Sequence, residues 1–306
     1  MKKFLSLLST IALLALLSSC WSSIQPNASA LCDSVLYDYD PNENIFYINA
    51  ELMNPASKGA SETGMNTSAD LILKGKGKSP ESAYEDISSA LERRLLFSHN
   101  KARFISERLA SDKFALESLF DFILRGATSD ERALLFVVKN EDIENFYKSE
   151  TGLQKLLGDY IDGLSKVQPE ESSKGIFKNT LDFIKESGEV GREPVLGVLS
   201  VTKTDLKGSG NRGGGEPAEK SKEKFLLKAE GGAVFKNGVF TGYLNDKESV
   251  YYNILSNRSA FSTAEITTGG ISATVGLYRP KTVIKAEIVN GNLEVNITVN
   301  ARLRIV

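Results

Sequence analysis

The sequence predicts an α+β protein: mixed sheets covered by helices through residues 20–204, then an antiparallel-sheet-rich domain over 225–306. Three observations carry this reading. Strand and helix patterns alternate between Leu71 and Val138. Asn237-Gly238 lies between the apolar runs Ala233-Val234-Phe235 and Val239-Phe240, and both turn residues accept the positive φ that a tight hairpin needs. Leu293, Val295, Ile297, Val299, Ala301, Leu303 and Ile305 alternate without a break, the signature of a strand with one covered face.

The elements follow in chain order. Residues 21–30 are polar and interrupted by proline, a spacer. Ala30–Tyr39 and Ile45–Leu52 read as strands joined by the turn chemistry of Asp40-Pro41-Asn42-Glu43-Asn44. Asn54–Asp70 reads as a loop and Leu71–Lys74 as a short strand. Ser79 caps a helix whose first turn holds Pro80, where a missing N–H costs nothing. Ala83, Ile87, Leu91 and Leu95 give that helix one apolar stripe. Ala102–Ile105 is a strand. Ala115–Arg125 is a helix with Leu116, Leu119, Phe120, Ile123 and Leu124 inward and Gly126 as its stop, and Ala133–Val138 is a buried strand. Helical patterns cover Glu141–Tyr147, Leu153–Leu164 and Ile176–Ile184, the last with Phe177, Leu181 and Ile184 on one side. Val195–Val201 is a strand.

Residues 205–224 hold almost nothing apolar and read as a flexible linker or long hairpin loop between the two domains. Gly208, Gly210 and Gly213 match the spacing of a dinucleotide-binding loop, but the charged, Pro217-containing segment that follows lacks the required helix, so no nucleotide site is assigned. Asp246–Ser256 is a helix capped by Asn245 or Asp246. Thr263–Ala273 and Thr282–Val289 are strands, and Asn290-Gly291-Asn292 turns the chain into the long alternating strand. Either an earlier element covers that strand's apolar face or the chain is cut short. Truncation is the favoured expectation, which makes the C-terminal domain incomplete.

Composition narrows the function. The net charge of −2 supplies no basic excess for nucleic-acid phosphates. His99 is the only histidine and Cys20 and Cys32 the only cysteines, too few for a zinc site of the usual kind. A Ser-His-Asp arrangement would have to use His99, and no nucleophile-elbow sequence accompanies it. No cofactor, metal or catalytic residue is assigned. Cys32, in Ala30–Leu36, is expected to be a buried, inert thiol rather than a reactive one.

The N-terminus carries the one residue with assignable chemistry. Lys2 and Lys3 precede the apolar run Phe4–Leu17, which is too short to span a bilayer, and Leu17-Ser18-Ser19-Cys20 resembles the lipobox of bacterial lipoproteins. That resemblance implies a signal peptide over residues 1–19 and an acylated Cys20 at the mature N-terminus. Loss of Lys2 and Lys3 lowers the net charge to −4. The protein would then work outside the cytoplasm on a lipid anchor, since each buried methylene adds roughly 0.8 kcal/mol and two or more acyl chains do not readily let go.

Cys20-Trp21 also opens a series of segments that, in order, resemble the Ger(x)C family, the lipoprotein C subunits of spore nutrient germinant receptors. The series continues with Tyr37-Asp38-Tyr39-Asp40 and Phe46-Tyr47-Ile48-Asn49-Ala50-Glu51. It includes Ser82-Ala83-Tyr84, opening a helix that ends Arg93-Arg94-Leu95-Leu96-Phe97-Ser98-His99, and Asp121-Phe122-Ile123-Leu124-Arg125. Gly232-Ala233-Val234-Phe235 and Gly242-Tyr243-Leu244-Asn245-Asp246-Lys247-Glu248 complete it. Ser22 and Ser23 depart from the charged residues that usually follow Cys-Trp. Family members continue past Val306 with a long amphipathic helix and a further strand, in keeping with the expected truncation. The resemblance implies a non-catalytic subunit on the outer face of the spore inner membrane, assembled with integral-membrane A and B subunits. The family often has histidine at the position of His99, after a helix and before a strand. It would either bond across that junction or make a pH-sensitive contact with a partner. Two other readings stay open: a transporter's ligand-binding lipoprotein, with two similar lobes around a cleft, and an extracytoplasmic carboxylate-dependent hydrolase, with two acids converging in a pocket.

Overall fold

The structure, a computed structural model, describes residues 3–4, 29–53, 70–126, 130–149, 154, 156–204, 224–268 and 270–305. Most of the signal segment, the spacer through residue 28, the expected loop 54–69, most of the 205–224 connection and Leu153 lie outside them.

Two sheets organise the chain. The larger contains β1 (Ser29–Asp40), β2 (Ile45–Met53), β3 (Asp70–Gly77), β4 (Arg94–Leu96), β5 (Ala102–Ser106), β6 (Leu134–Val138), β7 (Val195–Thr204), β8 (Lys224–Lys236) and β9 (Val239–Leu244). Its order is β3-β2-β1-β5-β6-β7-β8-β9, with β4 paired separately to β1. The centre, β1-β5-β6-β7, is parallel, and antiparallel hairpins close both sides. Helices therefore cover both faces, as parallel strands require. One face buries α1 (Pro80–Ser89), α2 (Glu107–Ser111), α3 (Lys113–Arg125) and α5 (Thr180–Gly188) through Ile87, Leu109, Leu119 and Phe183. The other packs α4 (Leu157–Glu171) and a 3₁₀ turn at Phe146–Lys148 against Phe104 and Phe136.

The large sheet runs across the 205–224 connection, since β7 and β8 pair antiparallel from Val195–Val234 to Thr204–Lys224. After β9 come α6 (Asp246–Leu255) and a three-stranded sheet of β10 (Phe261–Thr268), β11 (Ile271–Val289) and β12 (Asn292–Ile305). The architecture is α+β, with an antiparallel C-terminal sheet. The apolar side chains of β12 are exposed, from Leu293 at 70% to Ile305 at 83%, so the face that the alternation marks as needing cover is bare among the described residues.

The local chemistry explains most boundaries. Ser79 and Ser82 close a reciprocal capping box ahead of Pro80, and Asn245 does the same with Glu248 for α6. Asn237-Gly238 and Asn290-Gly291 adopt positive φ in their hairpins.

Several expectations need correction. The helix at Ser79 stops at Ser89. Arg94–Leu96 instead forms β4, parallel to Ser29–Leu31, so Leu95 is a strand residue rather than the end of a helical stripe. The β3 strand continues to Gly77 because Gly75 and Gly77 lie against the first turns of α1. A Cβ on Gly75 would come within 2.3 Å of the Ala83 carbonyl oxygen. Leu124 is exposed on α3. The helix expected over Ile176–Ile184 begins at Thr180, capped by Asn179, and Phe183 rather than Phe177 faces its core. Phe177 packs on the opposite side of the sheet. Glu141–Tyr147 forms 3₁₀ turns. Thr263–Ala273 divides between β10 and β11, with Gly270 in positive φ.

Candidate functional site

The polar centre of the large sheet lies where β1, β2 and the N-terminus of α4 meet. Leu156 precedes α4 and has no side-chain oxygen to cap it. The sheet supplies the caps instead. Glu51 of β2 is buried, and both its carboxylate oxygens accept from the Leu157 N–H at 3.1 Å, while Ser34 donates to Oε2 at 2.7 Å. Ser34 and Glu51 are register partners across β1–β2, which brings hydroxyl and carboxylate together. Asp33, also fully buried, lies against Gly158 and accepts from Lys101 Nζ at 3.1 Å, and Lys101 also pairs with Asp159 in the first turn of α4. Two sheet carboxylates at a helix N-terminus complement its partial positive charge, and Glu51 satisfies the orphan N–H of Leu157. Gly158 permits this approach: a Cβ there would lie 2.4 Å from Asp33 Oδ2.

Burial pushes the Asp33 carboxyl above its ordinary value of 3.8, against the opposing pull of Lys101 and the Gly158 N–H. Burial also works against the Lys101 charge, but the hydrogen bond to Asp159 and the charge of Asp33 outweigh it, and its pKa rises. For an acid with a raised folded pKa, the native chain binds more protons than the unfolded chain from pH 3.8 up to the folded value. The contribution of Asp33 to stability therefore falls as pH rises through that window. Asp33→Asn removes this titration while Asp159 keeps Lys101 paired. Urea midpoints measured across a pH series should lose that downward slope, and an unchanged slope would show that another group supplies it.

On the other face Arg103 is fully buried and donates to Thr180 Oγ1 at 3.0 Å and to the Tyr37 hydroxyl, tying β5 to the start of α5. At the carboxyl ends of the parallel strands Arg108 makes a two-pronged pair with Asp38. Beside it a cleft of about 340 Å³ is lined by Lys139, Glu230, Tyr243 and Glu248, with Lys139 Nζ 5.2 Å from the Tyr243 ring centre. The Glu248 carboxylate in this cleft accepts from the Asn245 N–H at 2.8 Å and so completes the α6 cap.

His99 lies in the turn between β4 and β5, not between a helix and a strand. It is exposed beside Lys101, Asp130, Arg132 and Asp162 in an open cleft of about 600 Å³, and its ring makes no hydrogen bond among the described residues. Cys32 is buried, donates to the Ser34 carbonyl at 3.1 Å, and burial drives its thiol pKa far up, so it is an inert core thiol. Cys20 lies outside the described residues. No helix among the described residues is long and apolar enough to cross a membrane, and no cluster of three or more His, Cys, Asp or Glu side chains is placed to hold a metal ion among them.

Residues 24–201 match the family described as "Spore germination protein N-terminal domain", and residues 230–306 match "Spore germination B3/ GerAC like, C-terminal". The chain belongs to the Ger(x)C family. Spore germination protein KC of Bacillus subtilis (strain 168) is 23% identical to this Ger(x)C chain over 250 residues, covering 80% of it, and the chain spans 60% of that relative's length. A solved structure, titled "Crystal Structure of the GerBC protein", aligns with a TM-score of 0.42 at 14% identity, over 89% of this chain and 71% of that one.

The acids of the sheet were not singled out by the sequence reading, although Glu51 ends the Phe46–Glu51 segment that resembles the family. The available signal was a carboxylate on the strand face opposite Phe46, Ile48 and Ala50, register-paired with the polar step Asp33-Ser34.

Proposed function

We propose that this Ger(x)C chain is the non-catalytic lipoprotein C subunit of a nutrient germinant receptor. Residues 1–19 are removed as a signal peptide. Cys20 carries the lipid, and the folded part stands on the outer face of the spore inner membrane, assembled with integral-membrane A and B subunits. The observation that carries the reading is the pair of family matches spanning most of the chain. The polar centre supports it: Asp33, Glu51 and Lys101 are taken up by helix caps and ion pairs that hold a scaffold together.

Deletion of the gene should abolish or slow germination triggered by at least one nutrient. Wild-type chain should restore it in trans. Cys20→Ala should lose acyl labelling, leave the membrane fraction and fail to restore germination. Unchanged germination of the deletion strain across a nutrient panel would refute the receptor role, and a Cys20→Ala chain that stays on the membrane would refute the anchor.

A further inference from the structure

Between the lipid site at Cys20 and the start of β1 at Ser29 lie only residues 20–28. Fully extended, that tether reaches ~30 Å. β1 then runs ~36 Å from Ser29 to Asp40. A fold standing on its Asp40 end would hold Ser29 further from the bilayer than the tether reaches.

Strand direction defines the near end. β1, β4, β5 and β6 run parallel, so the residues that open or precede them share one end of the large sheet. Arg94 opens β4 and is the register partner of Ser29, so the tether leaves the fold beside it. Lys101 and Arg132, which precede β5 and β6, line the cleft of about 600 Å³ with His99. Most cations of this end are already paired: Arg93 with Glu92, Lys101 with Asp33 and Asp159, and Arg132 with Asp130. Arg94 differs. It is exposed, and its side chain makes no hydrogen bond or ion pair among the described residues. The far end has the opposite surplus. Glu43, Glu141 and Glu144 are exposed there and form no ion pair among the described residues.

We infer, given the acylated Cys20 proposed above, that the β1–β4 end of the large sheet rests on the phosphates of anionic lipids in the anchoring bilayer, with Arg94 as the orienting contact. A guanidinium presents a planar fork of donors that suits phosphate oxygens. The negative potential of such a surface attracts Arg94 and repels the acidic far end, and it fades within a Debye length. The tether supplies proximity and the unpaired cation supplies direction. The carboxyl ends of the parallel strands, with the cleft beside Lys139 and Tyr243, then face away from the bilayer.

The test places the full lipidated chain on vesicles of phosphatidylcholine and phosphatidylglycerol that carry a headgroup nitroxide. A fluorophore is attached through Ser98→Cys at the near end or through Asn42→Cys in the β1–β2 turn at the far end, both exposed positions. The native Cys32 is buried and takes no label. Quenching should be strong at the near label and weak at the far one. Arg94→Gln should lower the ratio of near-end-down to other orientations by on the order of fivefold. Arg94→Lys should lose less, and phosphatidylcholine vesicles alone should reproduce the loss without any substitution. Sedimentation with the vesicles reads the anchor separately. A chain that sediments but is quenched equally at both labels, or more at the far one, overturns the orientation and leaves the lipid at Cys20 standing. Near-end quenching indifferent both to Arg94→Gln and to removal of phosphatidylglycerol overturns the headgroup contact. A chain that does not sediment with vesicles overturns the anchor and the orientation together.

Discussion

Glu51→Ala should destabilise the folded chain by roughly 3 kcal/mol. The substitution strips the acceptor from the Leu157 N–H and from the Ser34 hydroxyl in a part of the molecule that water does not reach. Each orphaned buried group costs about 1–3 kcal/mol. The start of α4 then depends on Asp33 alone. Glu51→Gln should fall between wild type and alanine, because its amide nitrogen brings a donor to a place where an N–H already points inward. The urea midpoint should fall without a change in slope, since the surface exposed on unfolding is unaltered. If alanine unfolds at the wild-type midpoint, the carboxylate is not the cap of α4. Far-ultraviolet circular dichroism in the absence of urea distinguishes a weakened fold from one that never forms.

Gly197→Ala should cost a comparable amount, about 3 kcal/mol, for a steric reason. Gly197 sits in β7 where the segment before α5 crosses the sheet. An added Cβ would lie 2.1 Å from the Ile176 carbonyl oxygen and 2.7 Å from the Phe136 ring. The nearest obstacle is backbone and cannot swing away as a side chain would. Gly232 of β8 clears the same crossing, where a Cβ would come within 2.7 Å of the Ile176 side chain, and Gly175 is bridged to Gly231. Gly242→Ala in β9 is the control, since a Cβ there meets nothing within 4 Å, and it should shift the urea midpoint little. Equal behaviour of the two variants would show that the crossing tolerates a methyl group.

Features written in neighbouring residues were legible in the sequence. The Ser79-Pro80 and Asn245 caps and the Asn-Gly turns are local chemistry, and the alternation of β12 needs only its own strand. Features decided across the chain were not. Leu91 and Leu95 continue the helical spacing of α1, yet Leu95 is claimed by a parallel pairing with Ala30, which no local pattern encodes. Phe177 and Phe183 look like one stripe but serve opposite faces of the sheet, because the helix starts three residues after the first of them. The acid cluster was hidden for the same reason: Glu51 caps a helix 106 residues further along the chain, through a backbone N–H that no side-chain motif announces.

The β7–β8 pairing has a practical consequence. Thr204 and Lys224 face each other as the last register partners of those strands, so the intervening stretch leaves and re-enters the molecule at one point. Each doubling of such a connection costs only about 0.6 kcal/mol in closure entropy. Residues 205–223 are therefore a splice port. An epitope or a whole reporter domain can be inserted there without moving the register of the sheet, giving a handle for following the protein in living spores.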